Sequence, residues 1–136
     1  MNIRDIENNI ISKLKEEFPE LHVEGFPDKP SEFILLHALG ALLVHYQGSN
    51  YAPTNSIGCI TQENKKEFSI TVVTRNLRSN NGAYEYIDKV KDVLTGYKID
   101  ECSLLMPTKD NFISENGGIW QYAINFTLTT QNVQIY

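Results

Sequence analysis

The sequence predicts an α+β fold in which two main helices pack on one face of a mostly antiparallel β-sheet of about four to six strands. Two segments repeat apolar residues at steps of three and four, and the segment Trp120–Thr130 alternates apolar and polar residues as a half-buried strand does. Asn116-Gly117-Gly118 lies between two extended segments and is typical of a β-hairpin turn, because these residues tolerate positive φ. With 136 residues and no repeat or linker, the chain is expected to be one domain, 1–136.

The composition is that of a soluble globular protein, with 41% hydrophobic and 21% charged residues. The net charge of −5 disfavours a general nucleic-acid binder, which needs clustered Lys and Arg to neutralise phosphates. The N-terminus lacks the apolar core of a signal peptide, and the longest apolar run, Ala38–Val44, is shorter than the ~20 residues of a membrane span. We therefore expect a soluble cytoplasmic protein that does not bind membranes.

The first predicted element is an amphipathic helix over 2–18. Its apolar stripe consists of Ile3, Ile6, Ile10, Leu14 and Phe18. Pro19 marks the end of this helix, because proline cannot continue it. Residues 21–26 alternate and predict a short strand that Pro27 interrupts, whereas the apolar segment 31–39 fits either a short helix or a buried strand.

The middle of the chain predicts two strands separated by a long polar segment. Residues 41–46 form a dense apolar run that fits a central strand, and 67–75 alternate with many β-branched residues. Residues 47–66 are polar and contain several Gly, Asn and Pro, so they predict a polar loop, with a short strand at 57–61 as an alternative. A loop of about twenty residues is uncommon in a compact domain and is usually functional or mobile.

The last third of the chain predicts a second helix and a long final strand. Apolar residues recur at helical spacing over 83–97 until Gly96 stops the helix, and 102–106 fit a short strand that Pro107 ends. The final strand, 120–130, has one apolar and one polar face. The apolar face consists of Trp120, Tyr122, Ile124, Phe126 and Leu128, and the polar face of Gln121, Ala123, Asn125, Thr127 and Thr129.

No motif in the sequence predicts catalysis or ligand chemistry. His22, His37 and His45 lack the tight spacing to one another, or to Cys59 and Cys102, that metal sites show. The two cysteines are interpreted as reduced thiols, with a disulfide between them as the alternative. We therefore predict no catalytic, cofactor-binding or metal-binding residues, no cofactor, and a protein that is not an enzyme.

Several stretches in order resemble the Mu-like prophage tail-protein family of small phage proteins. They are Gly40–Ser49, Phe68–Leu77, Gly82–Tyr84 leading to Leu94–Tyr97, and Gly118–Ala123. Each stretch alone is a weak signal, and it is the order and spacing of the whole set, from Gly40 to Thr130, that carry the resemblance.

The resemblance implies a virion assembly protein of the phage tail, made in the host cytoplasm. The function it implies is that of a tail terminator or tail-completion protein, similar in kind to the minor tail protein U of lambdoid phages. Such a protein caps the tail tube as a ring, commonly a hexamer, and contacts tail-tube and head-completion proteins, without sequence-specific nucleic-acid binding. The alternative is a small ligand-binding or enzymatic α+β domain of unknown substrate.

A ring needs two different contact patches on each subunit. The polar loop at 47–66 is one candidate, since it contains an aromatic residue of the kind that interfaces favour. Other candidates are the polar face of the final strand and two small basic spots, Lys65-Lys66 and Arg75 with Arg78. All of these also fit ordinary solvated surface. The candidate interface residues are Gln47, Ser49, Asn50, Tyr51, Arg75, Arg78, Gln121 and Asn125.

Overall fold

A computed structural model describes residues 2–28, 39–52 and 59–135, and their side chains except at 59–61 and 131–135. In chain order the elements are α1 (Ile3–Glu17), β1 (His22–Gly25), β2 (Gly40–Tyr51), β3 (Cys59–Thr74), α2 (Ala83–Leu94), β4 (Met106–Asn116) and β5 (Ile119–Ile135). The five strands form one sheet in the order β1-β2-β3-β5-β4, in which only β1 and β2 pair in parallel. The predicted α+β fold is confirmed.

Helix α1 begins and packs largely as its sequence predicts. Asn2 caps its N-terminus, because the Asn2 Oδ1 accepts a hydrogen bond of 2.8 Å from the backbone N–H of Asp5. Ile6, Ile10 and Leu14 are fully buried against the sheet. Ile3, which the apolar spacing includes, is instead exposed.

Helix α2 covers the same face of the sheet through Tyr86, Ile87, Val90 and Leu94. It ends at Leu94, just before Gly96, the residue predicted to stop it. Because Gly96 adopts a φ of +79°, the chain leaves the helix there.

Strand β5 lies between β3 and β4, and its alternation divides the sheet into two faces. Ile124, Phe126 and Leu128 are buried in the core that both helices cover, with Trp120 and Tyr122 partly buried at its margin. The predicted apolar face is therefore confirmed. A smaller apolar cluster of Ala41, Leu43 and Val73 lies apart from that core, on the alternate positions of β2 and β3.

The predicted loop at 47–66 is wrong for residues 47–51 and 59–66, which lie in strands, whereas residues 53–58 are outside the described part of the chain. Residues 47–51 continue β2 and residues 59–66 begin β3, in a ribbon that pairs Gly48 with Glu67 and Tyr51 with Asn64. The polar residues of this ribbon lack the apolar alternation that marks a half-buried strand, whereas backbone hydrogen bonding needs no such pattern. The register shifts between Tyr46 and Gly48, which is a bulge at Gln47.

The hairpin at 116–118 is confirmed, and its two turn residues are both glycines. Gly117 and Gly118 have φ values of +59° and +85°, whereas Asn116 ends β4. The strand predicted at 102–106 is wrong, because β4 begins at Met106 and contains Pro107. Proline is tolerated there because β4 is an edge strand of the sheet.

Two predictions fall wholly or partly outside the described residues. The choice between helix and strand at 31–39 concerns residues of which only Leu39 is described, and the alternative strand at 57–61 begins before the described part of β3. Cys102 is a free buried thiol, as the interpretation of reduced cysteines expects. Neither of the two described helices is long and apolar enough to cross a membrane.

Candidate functional site

The face of the sheet opposite the helices contains a pocket of about 370 Å³, which we call the trough. Its floor is formed by side chains of the two central strands, β3 and β5, and its walls by residues of β2 and β4, by the segment after β1 and by Gln121 of β5. The floor residues are Ser69, Thr71, Ala123 and Asn125, and the wall residues are Phe26, His45, Gln47, Lys109, Asn111, Ile113 and Gln121.

Strand register explains why these residues meet. His45 of β2 is opposite Ser69 of β3, Ser69 is opposite Asn125 of β5, and Asn125 is opposite Lys109 of β4. Three strand spacings of ~4.8 Å separate the two walls, so the trough is about 14 Å wide from backbone to backbone. The residues therefore form one row across four strands, although they are far apart in the chain.

Polar groups line the trough, and some of them have no hydrogen-bond partner among the described residues. Ser69 and Thr71 are only 2% and 5% exposed, and no hydrogen bond of either hydroxyl is found among the described residues. The buried Nδ1 of His45 also has no partner in the described part of the chain. Asn125 differs, because its Nδ2 donates to the Oε2 of Glu67 at 3.2 Å. A buried polar group without a partner is costly, so an occupant that hydrogen-bonds to the Nδ1 of His45 would be stabilised there.

The structure brings together only three of the eight predicted interface residues. Gln47, Gln121 and Asn125 all contact the trough. Gln47 lies two residues after His45, so the alternation of strand residues places both side chains on the same face. Whether these residues contact another subunit stays a prediction.

Ser49, Asn50 and Tyr51 lie at one end of the β2–β3 ribbon, away from the trough. Ser49 is partly buried, and its hydroxyl is hydrogen-bonded to that of Tyr46. Asn50 and Tyr51 are exposed. Tyr51 is opposite Asn64, ten residues before the end of β3, so this end lies about 33 Å from the end that carries the arginines.

Arg75 and Arg78 are exposed just beyond the C-terminal end of β3. The guanidinium of Arg78 lies 5.6 Å from the ring centre of Tyr84. The ring of Tyr84 in turn contacts that of Tyr122 at 6.3 Å, and Tyr122 contacts Phe112 at 5.5 Å. No signal in the sequence points to this partly exposed aromatic patch, because its members come from α2, β4 and β5 and share no local motif.

Lys66 is not part of a solvated basic spot, so the prediction from the Lys65-Lys66 pair is wrong for this residue. Its side chain is on the helix-covered face, where its Nζ donates to the Oγ1 of Thr130 at 3.0 Å. Burial lowers the pKa of Lys66 below its usual value, since desolvation penalises the charged form. The buried Oδ1 of Asn64, two residues earlier, has no partner among the described residues.

The histidines and the described cysteine show no arrangement that would bind a metal. Within residues 2–28, 39–52 and 59–135, no three His, Cys, Asp or Glu residues form a group that could hold a metal ion. His22 lies beside Glu24, with 3.2 Å between Nε2 and Oε2, and His37 is outside the described residues. Burial is the main cause that raises the pKa of the Cys102 thiol, and the neighbouring Glu101 adds to it as a lesser cause.

Comparison with known proteins finds one family. A family model described as Gp37 protein matches residues 10–135, which is nearly the whole chain and includes every strand, α2 and the trough. No curated protein matches the chain.

Proposed function

This chain belongs to the Gp37 protein family, a phage-related protein family, and we propose that it is a non-catalytic assembly protein of the virion tail. More narrowly, we propose a Mu-like tail terminator or tail-completion protein. It would cap the tail tube as a ring, commonly a hexamer, and join it to the head-completion proteins. It would be made in the host cytoplasm and end in the virion tail.

The observation that carries the phage assignment is the family match over residues 10–135. The ordered resemblance from Gly40 to Thr130 supports the tail role. A ring requires two unlike patches on each subunit. The proposal is supported by three surfaces in different parts of the molecule that are candidates for such patches: the trough, the aromatic patch around Tyr84 and Tyr122, and the exposed end at Tyr51.

The polar character of the trough also supports a protein–protein contact. Interfaces that form and reorganise during assembly contain many hydrogen bonds and bridging waters. Gln47, Gln121 and Asn125 place neutral amides at such a surface. The net charge of −5 suits a ring through which DNA must pass without being held.

Electron microscopy of the purified protein, alone and mixed with tail tubes, tests this proposal. We expect rings with a central hole comparable to the bore of a tail tube, and rings attached to one end of the tubes. A protein that remains a monomer at its highest soluble concentration and does not bind tubes would contradict the proposal.

The second candidate is a small ligand-binding domain, and the size of the trough is the observation that favours it. A pocket of about 370 Å³ is at the lower end of the range that small-molecule sites occupy. Native mass spectrometry of the protein purified from its host separates the two functions. A monomer with a bound metabolite supports the ligand-binding domain, whereas a ligand-free oligomer supports the assembly protein.

A further inference from the structure

We propose that the trough is the docking site for helix α2 of a second copy of this chain. The inference rests on the proposed assembly function and specifies how neighbouring subunits would contact one another. It is carried by two features on opposite sides of the molecule, the hydrogen-bonding trough and an acidic row on α2.

The chemistry of the trough favours an occupant with carboxylates. Lys109 is a cation on its wall, and Ser69, Thr71, Asn111 and Gln121 have hydroxyl or amide donors. No acidic residue is among the described residues that line it, and the adjacent Glu67 is already hydrogen-bonded by Asn125. Ionised carboxylates only accept hydrogen bonds, so they match a surface rich in donors.

The exposed side of α2 carries such carboxylates in one row. Glu85, Asp88 and Asp92 lie opposite the buried residues of the helix, because each residue turns the helix by about 100°. We call these three residues the acidic crest. Its length is about 10 Å, from seven steps of 1.5 Å, and a helix is about 10–12 Å in diameter. The strands that carry the two walls are about 14 Å apart between backbones, so the carboxylates of the crest, rather than the whole helix, would enter the trough.

In the structure, the two lysines of α2 do not form ion pairs with the acidic crest, although their spacing in the sequence would allow it. The spacing of Lys89 and Lys91 permits helix-neighbour pairs with Glu85 and Asp88. Instead, the Nζ of Lys89 lies 5.0 Å from the ring centre of Phe18, and Lys91 forms an ion pair of 2.6 Å with Asp110. No ion pair of Asp88 or Asp92 is found among the described residues, and two aspartates four residues apart repel each other on a helix.

A crest-to-trough contact joins two different surfaces, so it is heterologous and can repeat from subunit to subunit. Such a contact closes into a ring when the rotation between neighbours allows it. The chain is acidic overall, whereas the trough has a lysine, a histidine and no carboxylate among the described residues of its lining. This difference in charge favours a second copy of the chain as the occupant.

Charge reversal on each side tests the proposal by sedimentation velocity over a range of concentrations. The variants are Lys109→Glu on the trough and Asp88→Lys with Asp92→Lys on the crest. The control is Lys15→Glu with Asp100→Lys, which reverses exposed charges outside both surfaces. We expect each test variant to weaken self-association at least tenfold, as close interfacial charge pairs do when reversed, and the control to associate like the wild type. Thermal melting checks that all variants fold.

Mixing the two test variants gives the sharpest result. In an equimolar mixture, the trough that carries Lys109→Glu meets the crest that carries the two new lysines, and an unchanged trough meets an unchanged crest. We therefore expect the mixture to recover assembly that neither variant shows alone. Failure of the mixture to recover it, or wild-type association in either variant, overturns the docking proposal.

The outcomes also separate this inference from the proposed function. If the variants still form rings that bind tail tubes, the crest-to-trough contact is wrong and the virion role stands. If the wild type neither self-associates nor binds tubes, the virion role itself fails. If only Lys109→Glu weakens assembly, the trough holds some other partner, and the assignment of α2 is wrong.

Discussion

Phe126→Ala should be among the most destabilising single truncations in this chain. Phe126 has 0% exposure, lies opposite Phe68 in the register of β3 and β5, and packs in the core that both helices cover. Truncation of a buried phenylalanine costs about 3–5 kcal/mol, from lost transfer free energy and the cavity that remains. With an unfolding entropy of about 0.29 kcal/mol/K for a chain of this length, that loss lowers the melting temperature by about 10–17 °C.

The matched control is Phe112→Ala, because Phe112 lies on edge strand β4 and is 51% exposed. Its ring contacts Trp120 and Tyr122 only at the surface, so we expect a loss of about 1 kcal/mol or less. Urea unfolding followed by far-UV circular dichroism measures both losses. Equal losses for the two variants, or a loss below about 1 kcal/mol for Phe126→Ala, would mean that the assignment of the two faces of the sheet is wrong.

Three individual side-chain positions give the remaining predictions. Burial lowers the pKa of Lys66, so the folded state releases this proton at a lower pH than the unfolded state. The destabilisation is fully present below the folded-state pKa and disappears as the pH rises towards 10.5, the usual pKa of lysine. Lys66→Met should therefore raise the urea midpoint at pH 7 and lose that advantage at a pH of about 10, and a lower midpoint at pH 7 would contradict this. Asn125→Asp places a second carboxylate beside Glu67 and should lower the free energy of unfolding by about 2–3 kcal/mol at pH 7. This loss should become smaller as the pH falls towards about 4. A loss that is independent of pH would contradict the repulsion. Gly118→Ala should lower the free energy of unfolding by about 1 kcal/mol, because φ is +85° there. Asn116→Ala is the control and should be nearly neutral. Thermal melting compares the two variants, and equal effects would contradict the turn assignment.

The elements with strong apolar periodicity could be predicted from the sequence. Ile6, Ile10 and Leu14 on α1, and Ile124, Phe126 and Leu128 on β5, are buried on the faces that their spacing indicates. Burial of apolar surface decides the positions of these elements, so the pattern of apolar residues is sufficient.

The β2–β3 ribbon could not be predicted in the same way. Residues 48–51 pair with 64–67 and residues 59–63 pair with β5 through backbone hydrogen bonds, although this part of the sequence is mostly polar. The position of Lys66 on the covered face depends on the continuous alternation of β3, which a loop would not have. Pro107 wrongly indicates the end of a strand, because the tolerance of proline depends on whether a strand lies at the edge of the sheet, and strand order is not visible in sequence.

Only part of the candidate site could be predicted from the sequence, for a similar reason. Gln121 and Asn125 belong to the polar face of the final strand, which the alternation identifies. Their neighbours His45 and Lys109 come from other strands, and only the register across the sheet brings them together. The spacing along α2 indicates pairs between its acidic residues and its two lysines, but tertiary contacts with Phe18 and Asp110 occupy those lysines.

The most direct test of the proposed tail-terminator role is the length of tail tubes in the phage that encodes this chain. If the chain caps the growing tube, deletion of its gene should give tubes of variable and excessive length that are not joined to heads. Expression of the wild-type chain in the same cells should restore tubes of one length that carry heads. Tubes of normal length attached to heads in the absence of the chain would contradict its role as a tail terminator.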